Sequence, residues 1–376
     1  MKYIWQCNSW PKFTWDSNSL LSLLGQARLV QGNLLGRVKR LGFKLGEEAQ
    51  TDILTEEAIK TAAIEGERLN PQMVRSSVAR HLGLPAAGLV TATRSVDGLV
   101  EVILDATQNY DKALSADRLK GWHAALFPSG HSGLHKIRVG RWRGKEPMRI
   151  VSGPVGREKI HFEAPPGEAV GAEMQNFFRW WGSSRKTTDG LLRAGLVHFY
   201  FVAIHPFEDG NGRIARALTD MSLAQDEKLT TRYYSISSQI MEERDEYYNI
   251  LEKCSKSDST DLTTWLVWFL RCFQRAVQRS DKIIGNVLAK ADFWQKHAQT
   301  ELNERQKKVL NRILEEGPGN FKGGLTTRKY VSITKVSRAT AFREISDMLD
   351  KKVLRQLSGK GRSVHYDLIW GEAVKP

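Results

Sequence analysis

Between positions 205 and 216 the chain reads His-Pro-Phe-Glu-Asp-Gly-Asn-Gly-Arg-Ile-Ala-Arg, and four kinds of chemistry meet there. His205 is a candidate general base, because an imidazole with a pKa near 6.5 can take a proton at neutral pH. Gly210 and Gly212 leave backbone amides bare at the start of a following helix, where they can surround an anion such as a phosphate. Arg213 and Arg216 are three apart and so share a helical face, from which their forks can grip phosphate oxygens. Cations at that end of a helix oppose its dipole, which makes sense chiefly with an anion between them. Asp209 would repel a phosphate unless a divalent cation joined the two, and one carboxylate plus phosphate oxygens is how Mg²⁺ is usually held. The segment therefore combines a base, a metal carboxylate and a phosphate nest. Two other readings compete: Gly210 to Ala215 also fits the dinucleotide fingerprint GxGxxA, and a plain inter-helix turn would carry the same glycines. A fingerprint wants a preceding strand and no acid beside its first glycine. No GxxxxGK[ST], HExxH or paired CxxC occurs in the sequence, which excludes P-loop, zincin and zinc-ribbon chemistry.

The elements that must hold this segment are mostly helical. Leu191 to Ile204 is apolar on nearly every side, the mark of a helix inside a core. Pro206 forbids its continuation, Phe207 anchors the loop, and a second helix is predicted from Gly212 to about Ala224. Helical spacing is also read from about 169, over Tyr247 to Leu251, and over Leu262 to Phe273 with Trp265, Trp268 and Phe269. Upstream, Leu20, Leu21, Leu23, Leu24, Leu34, Leu35, Val38 and Leu41 give residues 17 to 85 a helical period. Thr55 followed by Glu56 and Glu57 predicts a helix start, with a hydroxyl cap and first-turn carboxylates, running through Glu65. Arg138 to Pro166 breaks the pattern. Met148 to Val151 and Lys159 to Phe162 flank a Ser152-Gly153-Pro154 turn, which predicts a hairpin or flap. A helix is predicted from Asn303 to Leu314, with Gly317 to Asn320 as a loop and a linker near 276 to 300.

The chain has 376 residues, 56 Lys plus Arg against 42 Asp plus Glu, a net charge of +14 and 41% hydrophobic residues. Two or three domains with ordinary cores are expected, and wholesale disorder is excluded. Cys7, Cys254 and Cys272 are too few and scattered for a disulfide framework, which suits a reducing compartment. The N-terminus has no apolar signal core, and the most apolar stretch, Leu196 to Ile204, is nine residues long; neither secretion by signal peptide nor membrane spanning is expected. Residues 301 to 376 carry 16 basic and 9 acidic side chains, half the excess charge. That basic tail suits nucleic acid, although a solvated cationic face is commoner.

The run from His205 to Arg216 resembles the Fic signature HxFx[DE]GNGRxxR, with every defined position present. The resemblance implies a mainly α fold: an N-terminal helical domain (1–88), a helical Fic core (89–276) with a β-hairpin flap at about 147–163, a helical linker (277–300) and a winged-helix domain (301–376). It implies a nucleotidyltransferase that moves AMP from Mg-ATP to a Ser, Thr or Tyr hydroxyl of a target protein or of itself, releasing pyrophosphate. His205 would deprotonate the hydroxyl, Asp209 would hold Mg²⁺, and Gly210, Asn211 and Gly212 would bind the α- and β-phosphates. Arg213 would support the nest and Arg216 the γ-phosphate. Ile160 and Phe162 lie in the flap that clamps the target by strand addition and covers the nucleotide. Tyr247 to Glu252 resembles the family helix whose first Tyr lies near the nucleotide, with core packing as the alternative; Ser255 stands where relatives often carry an amide.

Thr61-Ala62-Ala63-Ile64-Glu65-Gly66 fits the family's inhibitory helix, [ST]xxxE[GN], here at about 55–68. Glu65 would pair with Arg216, remove the cation that orients the γ-phosphate and leave ATP in an unproductive pose; the same Glu could position water to remove AMP. Ile333 to Arg343, with Leu354 to Leu357 and Gly359 to Tyr366, resembles a winged helix that could meet DNA through Ser337, Arg338, Thr340 and Arg343, or serve docking or dimerisation. The rival reading is therefore a DNA-binding regulator with the Fic core as nucleotide sensor. A cytoplasmic protein with no membrane partner is implied, and a homodimer is left open.

Overall fold

The structure is a computed structural model that describes residues 2–39, 43–84, 90–152, 157, 159–357 and 364–370. Leu41, the Gly153-Pro154 turn and the Gly359 to Ser363 segment lie outside the described residues. The chain is mainly α and divides into two compact units, 1–280 and 281–376.

The first unit opens with α1 (Ser17–Val38), α2 (Phe43–Ile64), α3 (Pro71–His81), α4 (Arg94–Gln108) and α5 (Ala116–Leu126). Asp16 caps α1 and Asn70 caps α3, with Pro71 at its first position, where a missing N–H costs nothing. The expected start at Thr55 is corrected: α2 begins twelve residues earlier, at Phe43, and ends at Ile64 rather than near 68. Thr55 does not cap anything. Its hydroxyl donates to the Thr51 carbonyl one turn back at 2.7 Å, a bond that suits a helix interior as well as a start. Glu57, expected as a first-turn carboxylate, is buried in the helix interior and accepts bonds from the hydroxyls of Ser235 and Ser237.

Two short hairpins follow, β1 (His131–Ser132) with β2 (His135–Lys136), and β3 (Arg149–Ser152) with β4 (Lys159–Glu163). The second lies where the flap is expected, antiparallel, with a bulge between Ile150 and Val151. The N-terminal segment braces its base: Trp5 Nε1 donates to the Glu163 carbonyl at 2.8 Å and Tyr3 meets the Phe162 ring edge-on.

The core is built around α7. After α6 (Val170–Thr187) come α7 (Gly190–Ile204), α8 (Asn211–Glu227), α9 (Ile236–Glu242), α10 (Arg244–Ser255) and α11 (Thr263–Lys296). Asp189 caps α7, and Phe199, Tyr200, Phe201 and Ile204 are wholly buried, each apolar side chain contributing about 1.5–3 kcal/mol. Gly195 lets α11 approach: a Cβ there would lie 2.9 Å from the Phe269 ring, while Trp265 Nε1 donates to the Gly195 carbonyl.

The second unit takes in the end of α11, then α12 (Glu304–Glu316), α13 (Thr327–Thr334), α14 (Arg338–Asp350) and the antiparallel pair β5 (Leu354–Gln356) and β6 (Tyr366–Leu368). Asn303 and Gln306 form a capping box on α12. Phe293, Val309, Ile313, Tyr330, Ile345 and Leu354 belong to its separate core. Among the described residues no helix is long and apolar enough to cross a membrane.

Candidate active site

The loop between α7 and α8 is held in an unusual path. His205 ends α7 in the left-handed region (φ 51°, ψ 59°), rare for a residue with a Cβ. Its amide bonds to the Phe201 carbonyl at 3.0 Å, and Arg143 donates from Nε to the His205 carbonyl and from its amide to the Pro206 carbonyl, both at 2.8 Å. Phe207 is wholly buried and stacks on His123 at 4.2 Å. Asn211, 2% exposed, spends its side chain inside the loop, accepting from the Phe207 amide and donating to the Phe207 carbonyl. The side chain is therefore committed to the loop, which leaves the backbone of Asn211 as the part that could meet a phosphate. Gly210 is left-handed (φ 78°), and a Cβ there would lie 2.8 Å from the Phe127 ring. His123 and Arg143 carried no motif, and only folding brings them under the loop.

The His205 ring is held in one orientation. Its Nδ1 lies 3.2 Å from the Val202 carbonyl. A carbonyl only accepts, so the neutral ring places its proton on Nδ1 and leaves a lone pair on Nε2. Burial lowers its pKa to about 4, which keeps the ring neutral at physiological pH.

Opposite stands the end of α2. Glu67 N–H bonds to the Ala62 carbonyl and Gly66 N–H to the Ala63 carbonyl, with Gly66 left-handed at φ 85°. This is a Schellman turn, whose left-handed position takes Gly or Asn. It places Glu65 at the helix end, where Oε1 lies 2.7 Å from Arg216 Nη2. Arg216, 2% exposed, also donates from Nε to the Thr61 hydroxyl at 2.6 Å and from Nη2 to the Thr61 carbonyl at 3.0 Å. Thr61, Glu65 and Gly66 are thus the three defined positions of the upstream motif, two gripping Arg216 and one making the turn. Burial opposes the Arg216 charge, and the adjacent Glu65 carboxylate together with the Tyr247 and Tyr248 hydroxyls more than restores it. A Cβ on Gly212 would stand 2.2 Å from Glu65 Oε1. The carboxylate therefore lies on the first turn of α8, which has no side-chain cap and whose dipole attracts an anion. α10 supports this end of α2, since Arg244 Nε and the Tyr248 hydroxyl both donate to the Ile64 carbonyl, at 2.9 and 3.3 Å.

A cavity of about 550 Å³ runs from Glu65, His205 and Gly212 to the flap and α10. Phe162 and Tyr247 line it. Tyr247 does so while serving the core: it is buried, and its hydroxyl bonds to His198 Nε2 at 2.8 Å. Ile160 is exposed and stands outside the lining, its carbonyl accepting from Lys256 Nζ. Ser255 lines the wall, with Asn249 and Glu252, polar groups that the sequence did not single out. Arg213 diverges from Arg216: its Nη1 lies 3.3 Å from Glu67 and its guanidinium covers the Phe127 ring at 4.8 Å. The Asp209 carboxylate also stands outside the cavity lining and accepts from the Ser132 hydroxyl and the Gly210 amide. Among the described residues no group of three His, Cys, Asp or Glu side chains could hold a metal by itself. A lone carboxylate fits Mg²⁺ if phosphate oxygens and water complete its shell.

Comparison with known proteins agrees with this architecture. Residues 113–223 match the Fic/DOC family profile, and residues 3–84 match a domain of unknown function, DUF4172. Among curated proteins, the chain is similar to the protein adenylyltransferase Fic of Nematostella vectensis, 23% identical over 221 residues, covering 57% of this chain and 46% of that protein. It is also similar to the protein adenylyltransferase fic-1 of Caenorhabditis elegans, 28% identical over 163 residues, covering 43% and 30%. The chain thus spans less than half the length of these relatives. A Fic family protein of Desulfovibrio desulfuricans G20 shares the fold, with a TM-score of 0.53 at 19% identity, over 95% of this chain and 98% of that one.

Proposed function

Because residues 113–223 of this chain are a Fic domain, we propose that it is a protein adenylyltransferase held off by Glu65. The observation that carries the reading is the Glu65 carboxylate seated on Gly212 and paired with Arg216, in a cavity shared with the neutral His205. In the reaction, His205 Nε2 takes the proton of a target Ser, Thr or Tyr hydroxyl. The freed oxygen attacks the α-phosphorus of ATP, the bond to the α–β bridging oxygen breaks, and pyrophosphate leaves with the electron pair. The first-turn amides of α8, over Gly210 to Gly212, would receive the developing charge, and Arg216 would orient the γ-phosphate. Mg²⁺, when bound at Asp209, would neutralise phosphate charge. Phe162 and the flap would cover the nucleotide beside Tyr247, while Ile160, on the exposed strand, would meet the target. Arg213, which faces Glu67, is assigned support of the nest and no direct phosphate contact.

Glu65 acts as a brake because it fills the anion position and occupies the cation that ATP needs. Labelling with ATP carrying a tagged α-phosphate tests this. Glu65→Gly should label itself or an added lysate, wild type weakly, and Glu65→Gly/His205→Ala not at all. Equal labelling of all three would overturn the assignment.

A second reading concerns the 281–376 unit. A three-helix arrangement with an antiparallel strand pair suits a winged helix, and α14, capped by Ser337, exposes Arg338, Phe342 and Arg343 together. Such a face suits a DNA groove, arginines on phosphates or guanine edges and the ring on a thymine methyl. Gel-shift titration against salt tests it: a steep loss of affinity with salt that weakens in Arg338→Ala/Arg343→Ala is expected.

A further inference from the structure

A second cavity, of about 430 Å³, is lined in part by Arg213 and shares no lining residue with the cavity that holds His205. Its volume is in the range of small-molecule sites. Arg94 and Ser95, in the first turn of α4, form one wall; Ser129, His131 and Arg213 form others, and Glu67 is the one carboxylate among the lining residues. The Arg213 side chain is only 10% exposed, yet its buried Nε has no hydrogen-bond partner among the described residues. Its one ion pair among the described residues, to Glu67, is long at 3.3 Å, and Glu67 is 44% exposed. A guanidinium so enclosed and so weakly paired is a donor waiting for a better acceptor. The α4 dipole and the exposed Arg94 point the same way.

We propose that this cavity binds a phosphate dianion, which displaces Glu67 from Arg213 and thereby loosens Glu65. Two bidentate cations, two hydroxyls and a helix N-terminus suit tetrahedral phosphate oxygens. The link to Glu65 is short, since only the left-handed Gly66 separates the two carboxylates and the Glu67 amide is one of the two bonds that close the turn. An anion that takes Arg213 from Glu67 removes one anchor of that turn. The effect on Glu65 rests on the brake reading above; the binding itself does not.

Calorimetric titration with inorganic phosphate and, separately, glycerol 3-phosphate tests the site on the full chain. Binding is expected in wild type and about tenfold weaker in Arg94→Ala, which removes one charged contact from a residue outside the first cavity. Binding of the free ion shows that phosphate itself suffices, binding of the ester alone assigns a phosphorylated metabolite class, and either with the Arg94 dependence supports the site. No binding, or binding unchanged in Arg94→Ala, overturns it. Phosphate should also raise wild-type self-labelling several-fold, leave Arg94→Ala unmoved, and add nothing to Glu65→Gly. Arg94-dependent binding without that rise overturns the link to Glu65. If Glu65→Gly never labels while Arg94-dependent binding persists, the transferase reading fails and the anion site stands.

Discussion

Asn211 holds both backbone groups of one residue, accepting the Phe207 amide at 3.0 Å and donating to the Phe207 carbonyl at 2.9 Å. The pair closes the loop that carries His205 and the glycines, so the side chain acts on the site through geometry. Asn211→Ala leaves a buried donor and a buried acceptor unmet, at about 1–3 kcal/mol each. The urea midpoint should fall accordingly, and labelling in the Glu65→Gly background should be lost. Asn211→Asp keeps the acceptor but turns a buried carboxylate oxygen toward the Phe207 carbonyl, and should be at least as destabilising as Asn211→Ala. An unchanged midpoint in Asn211→Ala would show that the clamp contributes nothing.

The turn after α2 makes a separate prediction. Gly66 is left-handed, and nothing lies within 4 Å of a Cβ built on it, so substitution there meets only backbone strain. Gly66→Ala should cost about 1 kcal/mol and raise labelling of an otherwise intact chain, because the turn that positions Glu65 becomes less favourable. Gly66→Asn should behave close to wild type. Thr61→Val, which removes the acceptor of Arg216 Nε, should also release the enzyme, though less than Glu65→Gly, since the carboxylate stays. If Gly66→Ala and Gly66→Asn label alike, the turn does not set the position of Glu65.

Much of the site was legible because its chemistry is consecutive. His205, Asp209, the two glycines and Arg216 lie within one turn and one helix start, and local rules suffice for them. The α2 boundary was not legible, because the Thr55 hydroxyl serves a helix interior by bonding back to Thr51, and a hydroxyl followed by acids reads alike in both settings. Arg143, 62 residues before His205, and His123 carry no local signal at all. Their roles exist only through packing, as does the divergence of Arg213 from Arg216, which sequence spacing places on one face.

Gly212→Ala tests the seat of the Glu65 carboxylate. Gly212 is helical, so an added methyl is conformationally acceptable and gains about 1 kcal/mol of helix propensity. In wild type that methyl would meet Glu65 Oε1 at 2.2 Å and Arg216 Nη1 at 3.2 Å, which forces the carboxylate off its seat. The substitution should therefore lower stability in wild type and be neutral or stabilising in Glu65→Gly. A double-mutant cycle should return a coupling above about 1 kcal/mol; additivity would mean that Glu65 does not rest on Gly212 in solution.

The pH dependence of catalysis follows from His205, whose burial sets its pKa near 4 rather than at 6.5. As the proposed base, His205 is needed unprotonated, so activity should persist as pH falls from 7 and fail only near 4. kcat/KM for ATP reports the free enzyme. Between pH 7 and 5.5 it should change little in Glu65→Gly, whereas an imidazole titrating at 6.5 would give about an eightfold loss. Folding sets the lower limit of the window. Burial also lowers His123 to about 4 and His198 to about 3, so below 6.5 the unfolded chain takes up protons that the fold refuses. Stability present above pH 6.5 is lost as pH falls toward 4, by about 1 kcal/mol per histidine at pH 5.5. Circular dichroism at each pH separates the two effects: an eightfold loss of kcat/KM at pH 5.5 in a chain still folded would place the His205 pKa near its ordinary value and refute its burial as the tuning device.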